Sequence, residues 1–257
     1  MHTTTLGLGG AQELVMVHGW GMHSGLLRQL ADDLADDHHI TLLDLPGHGH
    51  SHPYGALSGR PADAWVDAIA ERLPERANVL GWSLGGILGI RLAARFPVRV
   101  RRLVLMAATP RFTRTSGWPH AVDPTVLEAF IHALAGQPRK TLMRFANLQL
   151  QGDEQSGAQL RILRRALMEG PGADDRALMD GLRMLATEDY RNELRALEQP
   201  VLALLGREDS LMPRGLADAM EALNDRIRCL ELEGVAHLPF LSVPGRVAAE
   251  VRGFLAD

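Results

Sequence analysis

One serine lies in a sequence pattern that suits nucleophilic catalysis. The segment Gly81-Trp82-Ser83-Leu84-Gly85 is a G-x-S-x-G pattern between an apolar, strand-like run and a helix-like run. In a strand-turn-helix setting, the pattern places the serine on a sharp, strained turn above a helix N-terminus, which favours developing negative charge. The flanking glycines allow neighbouring backbone to approach closely. An ordinary glycine-rich turn can have the same sequence, so the partners of Ser83 must decide the chemistry.

A serine nucleophile requires a base, and the base requires an acid that orients it. In an open parallel sheet, functional groups gather at the carboxyl ends of the strands. Asp209 follows the apolar run 201–205, and His237 follows the strand-like run 228–232. These positions predict Ser83 as nucleophile, His237 as base and Asp209 as acid. Glu208 is the alternative acid, and His237 can also be interpreted as a loop histidine with a structural hydrogen bond.

Two backbone N–H groups are needed to stabilise the oxyanion of an attacked ester. The residue after the nucleophile, Leu84, is one candidate, and Trp20 in the His18-Gly19-Trp20-Gly21 loop after the first strand is the other. The Trp20 side chain is expected to pack as a core aromatic, and His18 is interpreted as structural rather than catalytic. No histidine spacing matches a zinc site, so we expect no metal. Ester hydrolysis through an acyl-enzyme on serine needs no cofactor, so we expect none.

Strands and helices alternate along both ends of the chain, which predicts a mostly parallel sheet with helices on both faces. The first helix is expected to begin with Ser24 as N-cap, and a late helix is expected to begin at Pro213. Residues 112–190 have helical patterns without a clear strand. We therefore predict an α/β core of residues 1–111 and 191–257 and a helical lid of residues 112–190 inserted between two strands.

Composition limits the partners that we expect. The 257 residues include 27 Lys or Arg and 31 Asp or Glu, a balance that argues against nucleic acid as partner. No apolar run approaches the roughly 20 residues that span a bilayer. The single cysteine and the N-terminal sequence without a signal-peptide pattern are typical of a cytoplasmic protein. We expect a monomer that does not bind membranes.

Together these motifs resemble the α/β-hydrolase superfamily, whose motif ends in an aspartate at the position of Asp209. The His-Gly-Trp-Gly loop, Asp-Leu-Pro-Gly-His-Gly-His-Ser and Gly-Trp-Ser-Leu-Gly-Gly carry the resemblance. Within the superfamily, the chain resembles the esterases that remove the methyl group of pimeloyl-acyl carrier protein in biotin synthesis. Compared with that family, the N-terminal segment is short and is expected to supply little of an antiparallel sheet edge.

The narrower resemblance also covers a segment of the predicted lid, Arg144-Phe145-Ala146-Asn147-Leu148-Gln149. It implies substrate contacts from Phe145 to Gln149, together with Trp20, Ser83, Leu84 and His237. The apolar residues around Phe145, including Trp118, suit either a substrate tunnel or plain core.

Residues 111–168 contain eight Lys or Arg and only four Asp or Glu, although the whole chain is acidic. The residues that could form a basic surface for an acidic acyl carrier protein are Lys140, Arg144, Arg161, Arg164 and Arg165. Their helical spacing places them on shared faces. A solvated helix face is the alternative interpretation of these charges.

The sequence therefore predicts a serine carboxylesterase that acts through an acyl-enzyme on the methyl ester of pimeloyl-acyl carrier protein. Two alternatives stay open at this point. One is a hydrolase of the same fold for a small free ester or a carbon–carbon bond. The other is a ligand-binding receptor without catalysis on a hydrolase scaffold.

Overall fold

Seven strands form one sheet at the centre of the molecule. A computed structural model gives the structure of residues 1–51, 54–55 and 59–256. The spatial order of the strands is β1-β3-β2-β4-β5-β6-β7. Their bounds are Thr3–Leu6 (β1), Gln12–Val17 (β2), His38–Leu43 (β3), Ala77–Trp82 (β4), Val100–Met106 (β5), Val201–Gly206 (β6) and Ile227–Leu232 (β7). β1 runs antiparallel to β3, and the other neighbouring strands are parallel.

Helices cover both faces of this sheet. Their bounds are Arg28–Leu34 (α1), Pro61–Ala70 (α2), Leu84–Arg95 (α3), Pro124–Gly136 (α4), Pro138–Gln149 (α5), Ser156–Glu169 (α6), Asp175–Thr187 (α7), Arg191–Ala196 (α8), Leu216–Glu221 (α9), Pro239–Ser242 (α10) and Pro244–Ala256 (α11). A short 3₁₀ helix, Ser24–Leu27, precedes α1. Within the described part of the chain, no helix is both long enough and apolar enough to cross a membrane.

The central strands are apolar on both faces, which is why helices must cover both. Every residue of β4 and β6 is buried. Side chains alternate along β2, so that Val15 and Val17 contribute to one hydrophobic core and Leu14 and Met16 to the other. Because all but one of the strand pairs are parallel and both faces are covered, the predicted fold class is confirmed.

The expectation that the N-terminal segment supplies little of an antiparallel edge is wrong. Thr3 to Leu6 pair in register with Leu43 to Ile40 and form the antiparallel edge strand β1. This segment has only one large apolar residue, so its hydrophobic pattern is weak. Its three consecutive threonines are β-branched, however, and such residues fit a half-buried strand at the edge of a sheet.

One predicted N-cap and one predicted helix start are also wrong. The N-cap of the first helical segment is His23, whose Nδ1 accepts a hydrogen bond from the N–H of Gly25. Ser24 is buried instead, and its N–H donates to Asp44 Oδ1. The late helix α9 does not begin at Pro213, because Gly215 has φ 86° and the helix starts only after this left-handed residue.

The chain between β5 and β6 forms α4 to α8, with α4 packed against α5 and α7 and α5 packed against α6. We call residues 112–190 the helical insertion. Its side chains contribute to both cores, since Phe145 belongs to one and Ala146 and Leu163 belong to the other. The division of the chain into a core and a lid at these boundaries stays a prediction.

Candidate active site

Ser83 lies on a strained turn between β4 and α3. Its backbone has φ 54° and ψ −119°, a combination that residues other than glycine rarely adopt. A Cβ at Gly81 would lie 2.3 Å from the carbonyl oxygen of Gly85, and one at Gly85 would lie 2.4 Å from that of Val17. The turn can therefore close only with glycine at both positions, as the G-x-S-x-G pattern indicates.

A hydrogen-bonded chain connects Ser83, His237 and Asp209. Nε2 of His237 lies 2.9 Å from Ser83 Oγ, and Nδ1 of His237 lies 2.7 Å from Asp209 Oδ2. All three side chains are buried. Because a carboxylate can only accept, the imidazole proton belongs on Nδ1, which leaves Nε2 free to take the proton of the serine hydroxyl. This arrangement is able to generate a serine nucleophile.

The structure brings Asp209, and not Glu208, to the histidine. Asp209 lies beyond the carboxyl end of β6, and its Oδ1 accepts a hydrogen bond of 2.9 Å from the N–H of Leu211. That bond fixes the carboxylate so that Oδ2 meets His237. The carboxylate of Glu208 lies 3.6 Å from the guanidinium of Arg214 on the partly exposed side of the same loop.

The loop after β7 holds His237 through its own backbone. The N–H of His237 donates to the carbonyl of Gln149 at 3.1 Å, and its carbonyl accepts from Trp82 Nε1 at 2.9 Å. Trp82 is fully buried directly before Ser83, so one side chain of the elbow also holds the histidine loop. The nucleophile and its base are thus fixed to the same end of β4.

The loop after β2 lies against the nucleophile. A Cβ at Gly19 would lie 3.1 Å from Ser83 Cβ, so the next residue, Trp20, is also close to the serine. The N–H of Trp20 meets no acceptor among the described residues. The N–H of Leu84 opens α3, where a helix supplies no acceptor. Both N–H groups are therefore free hydrogen-bond donors, as an oxyanion hole requires. Their role in an oxyanion hole stays a proposal.

The Trp20 side chain packs against the helical insertion. Its Nε1 donates to the carbonyl of Leu178 in α7 at 2.8 Å, and its ring meets that of Phe145 edge-on at 4.9 Å. A Cβ at Gly181 would lie only 2.5 Å from Trp20 Cδ1. The insertion therefore contacts the proposed oxyanion loop closely, and the Trp20 ring is a core aromatic as expected.

His18 supports the loops around the nucleophile. Its Nε2 accepts from the N–H of Leu45 at 3.0 Å, and its Nδ1 lies 2.8 Å from the carbonyl oxygen of Gly19. Burial is the main cause that lowers the pKa of His18 to about 3, and electrostatic repulsion from the nearby His48 is the second. A neutral imidazole that bridges two loops agrees with a structural role for His18.

Asp44 fixes the same region. Burial raises the pKa of this carboxyl, but hydrogen bonds from the N–H groups of Ser24 and His50 outweigh that effect and lower the pKa below its usual value. The Asp44 carboxylate therefore ties two loops near the oxyanion loop in place. Among the described residues, no group of three or more His, Cys, Asp or Glu side chains could hold a metal ion.

Comparison with known proteins identifies the scaffold. The model of the family described as the alpha/beta hydrolase fold matches residues 13–244. The chain belongs to the α/β-hydrolase family. The esterase of Exiguobacterium antarcticum has the same fold, with a TM-score of 0.88 at 20% identity over 100% of this chain and 95% of that one.

Curated relatives of this α/β hydrolase share one name, pimeloyl-acyl-carrier-protein methyl ester esterase. The protein of Nitrosomonas europaea is 41% identical over 95% of both chains. That of Stenotrophomonas maltophilia is 40% identical over 100% of this chain and 96% of its own. The resemblance predicted from the motifs is confirmed by these relatives.

The segment Phe145 to Gln149 of this α/β hydrolase lies in α5 and has two different faces. Phe145 and Ala146 are buried, and Phe145 packs between Trp20 and Phe130. Gln149 is buried with an unpartnered Oε1, next to the carbonyl that holds His237.

The other two residues of the segment make different contacts. Leu148 is half-buried, and its carbonyl accepts from the hydroxyl of Ser210. Asn147 is exposed, and its Nδ2 donates to the carbonyl of Met143. The structure therefore does not bring Asn147 to Ser83.

Five basic residues of the insertion are exposed on the neighbouring helices α5 and α6. We call them the α5–α6 basic surface, which consists of Lys140, Arg144, Arg161, Arg164 and Arg165. The Arg144 guanidinium stacks over the Phe130 ring at 5.3 Å. Beside it lies a cleft lined by Arg139, Lys140, Met143, Arg144, Asn147 and Met168. Basic groups thus surround an apolar cleft on the outer side of the insertion.

Sequence reasoning missed two contacts between the insertion and the site. Asp153, in the turn between α5 and α6, accepts a hydrogen bond from the N–H of Ala236 beside the histidine. Gly181 gives Trp20 the space to pack against α7. Neither residue belongs to a recognisable motif, and their partners are far away in the sequence.

Proposed function

We propose that this protein is a serine carboxylesterase that hydrolyses the methyl ester of pimeloyl-acyl carrier protein in the synthesis of a biotin precursor. The observation that carries the proposal is the likeness, over nearly the full length of both chains, to relatives named for this reaction. The hydrogen bonds from Ser83 through His237 to Asp209 support ester hydrolysis as the chemistry.

In the first half of the proposed reaction, Ser83 Oγ attacks the carbonyl carbon of the methyl ester, and its proton passes to Nε2 of His237. The N–H groups of Trp20 and Leu84 stabilise the oxyanion. Asp209 stabilises the imidazolium. The carbon–oxygen bond to the methoxy group then breaks, His237 gives its proton to that oxygen, and methanol leaves an acyl-enzyme on Ser83.

In the second half, His237 takes a proton from water, and the hydroxide attacks the acyl carbon. The new oxyanion uses the same two N–H groups. The bond to Ser83 Oγ breaks, and the serine recovers its proton from His237. The products are a free carboxyl group on the pimeloyl chain and regenerated enzyme, with no cofactor involved. We propose that this enzyme works as a cytoplasmic monomer.

Substrate contact is proposed for the segment Phe145 to Gln149 in addition to the catalytic residues and Trp20. Phe145 packs on Trp20, so an acyl chain that reaches Ser83 would pass close to this aromatic pair. The unpartnered Oε1 of Gln149 offers an acceptor in the same region. In this proposal, the helical insertion serves as the lid over the acyl chain.

The α5–α6 basic surface is proposed to dock the carrier protein. The carrier implied by the family is small and acidic, and exposed basic side chains increase the association rate of an acidic partner. The surface lies on the same helices that hold Phe145 and the turn beside His237. A carrier bound there would have its acyl chain within reach of the insertion.

The function is tested by the mass of the carrier after incubation of methyl pimeloyl-acyl carrier protein with the enzyme. We expect the carrier to lose one methylene unit in mass, because the methyl ester becomes a carboxylic acid while the thioester stays intact. A free short-chain methyl ester should react far more slowly. Release of the whole acyl group from the carrier, or hydrolysis of the free ester alone, would contradict the proposed substrate.

The same experiment separates the alternatives. An enzyme that hydrolyses only small free esters keeps the chemistry of Ser83 without the carrier. A protein that hydrolyses neither ester and does not react with a fluorophosphonate at Ser83 is better explained as a ligand-binding receptor.

Carrier docking predicts a specific effect of charge reversal. The double variant Arg161→Glu with Arg164→Glu should lower kcat/KM for the carrier-bound ester by roughly tenfold at low salt, with a smaller loss at high salt. Its activity on a free ester should stay unchanged. Arg76→Glu is the matched control, because this exposed arginine precedes β4 at the opposite end of the sheet. Equal losses for both variants would refute the docking surface.

A further inference from the structure

Asp153 is a buried carboxylate that the proposed reaction does not use. It lies in the turn between α5 and α6 and is 6% exposed. Its Oδ1 accepts from the N–H of Gln155 at 2.8 Å and from Gln159 Nε2 at 3.0 Å. Its Oδ2 accepts from the N–H of Ala236 at 2.9 Å and from Ser242 Oγ at 2.7 Å. Both oxygens are therefore fully engaged.

The donors to Asp153 come from two parts of the molecule. Gln155 and Gln159 belong to the insertion, whereas Ala236 directly precedes His237 and Ser242 lies in α10, just after it. In the described part of the chain, no Lys, Arg or His forms an ion pair with this carboxylate. A buried carboxylate without a charged partner is stable only while its hydrogen-bond donors keep their positions. Its hydrogen bonds therefore also restrain the positions of these donors.

Two further backbone hydrogen bonds attach the histidine loop to the same turn. The N–H of His237 donates to Gln149 at 3.1 Å, and the N–H of Glu154 donates to the carbonyl of Gly234 at 3.2 Å. Together with the bond from Ala236 to Asp153, three bonds join residues 149–154 to residues 234–237. The backbone on the N-terminal side of the base is therefore positioned by the insertion and not by β7 alone.

We propose that Asp153 is a positioning residue for His237. Through the N–H of Ala236 and the hydroxyl of Ser242, its carboxylate holds both sides of the histidine loop. In that position the imidazole meets Ser83 and Asp209 at once. This inference rests on the serine-esterase chemistry proposed above, but not on the identity of the acyl group or on a carrier.

A simpler role for Asp153 is to cap the start of α6 through Oδ1. Asp123 has that role in α4, where its Oδ1 accepts from the N–H of Thr125 and makes no contact with the histidine loop. The hydrogen bonds that Oδ2 of Asp153 accepts from Ala236 and Ser242 distinguish the two carboxylates. Asp123→Asn is therefore a control that alters a cap of the same insertion, at an exposed carboxylate paired with Arg114, without altering the proposed positioning contact.

The test compares Asp153→Asn with Asp123→Asn and wild type on a p-nitrophenyl ester of a short acid, per mole of folded enzyme. An asparagine offers one acceptor oxygen where four donors converge, so the loop should shift. A misplacement of about 1 Å can cost on the order of 10²-fold in rate. We expect kcat of Asp153→Asn to fall roughly tenfold to a hundredfold with KM within about twofold, and fluorophosphonate labelling of Ser83 to slow in parallel.

Each other outcome has a defined meaning. If Asp153→Asn and Asp123→Asn have equal kcat, Asp153 is a cap and the positioning role is refuted. If Asp153→Asn does not fold, Ser242→Ala removes a single donor and should lower kcat several-fold, and an unchanged kcat would refute the proposal. If wild type neither hydrolyses the ester nor reacts with the fluorophosphonate, the esterase chemistry fails and the positioning role fails with it.

Discussion

At the scale of single residues, the proposed chemistry depends on which carboxylate meets His237. Two acids follow β6, and only Asp209 is buried within hydrogen-bond distance of the imidazole. In the proposed reaction, an acceptor at Nδ1 keeps the proton there and stabilises the imidazolium that forms when Ser83 gives up its proton. Glu208 contributes to an exposed ion pair, which adds little to stability.

Replacement of these two acids should therefore have very different effects. Asp209→Asn is expected to lower kcat for a p-nitrophenyl ester by roughly 10⁴-fold, because an amide at this position favours the wrong imidazole tautomer. Glu208→Gln should stay within about twofold of wild type. Steady-state kinetics of both purified variants give the answer, and comparable losses in both would exclude the assignment of Asp209.

At the scale of the elements, the helical insertion supports the site from two sides. α7 accepts a hydrogen bond from Trp20 and leaves space for its ring at Gly181. The turn between α5 and α6 holds the backbone beside His237. The proposed oxyanion loop and the proposed base therefore both depend on contacts with the helical insertion.

The contact with α7 yields a steric prediction. Gly181→Ala would place a Cβ 2.5 Å from Trp20 Cδ1, so the ring and the oxyanion loop must move. We expect kcat to fall by about tenfold to a hundredfold, in line with the cost of small misplacements.

Gly157→Ala is the control, because among the described residues no atom outside its own helical turn lies within 4 Å of the added Cβ. It should keep kcat and, as alanine favours a helix by about 1 kcal/mol, should not lower stability. Kinetics and urea unfolding of both variants decide the point, and full activity of Gly181→Ala would show that Trp20 does not need this contact.

Sequence patterns predicted the parts of this fold that are locally encoded. The helix-like run predicted after the elbow is a helix, Leu84–Arg95, because a glycine-rich turn begins it and Pro97 follows it. The candidate catalytic groups could be found because each follows an apolar strand. β1 was missed, since four residues with one leucine give almost no hydrophobic period. Asp153 could not be found either, because its key partner is 83 residues away.

At the scale of the whole molecule, three buried or half-buried histidines make stability depend on pH. Burial, and to a lesser extent electrostatic repulsion from the nearby His48, lowers the pKa of His18 to about 3. Burial also lowers the pKa values of His23 and His38 below the ordinary value for histidine. The unfolded chain binds protons at these groups near pH 6.5, whereas the folded protein does not. Stability is therefore full above about pH 6.5 and falls as the pH drops from there towards 3.

We predict this slope from urea unfolding between pH 7.5 and pH 5. Because His18 is fully buried, it should contribute up to about 1.4 kcal/mol per pH unit to the loss of unfolding free energy. His18→Gln should have a shallower slope, since glutamine does not titrate. His132→Gln, at an exposed position in α4, should retain the slope of wild type. Equal slopes in all three proteins would contradict the assigned cause.

The central claim is that Ser83 attacks the methyl ester while the pimeloyl chain stays on its carrier. Rapid acid quenching of enzyme with methyl pimeloyl-acyl carrier protein, followed by intact mass measurement, tests it most directly. We expect a transient adduct with the mass of enzyme plus substrate minus methanol, attached at Ser83 and absent in Ser83→Ala. Hydrolysis that proceeds without any adduct, and equally fast in Ser83→Ala, would show that Ser83 is not the nucleophile.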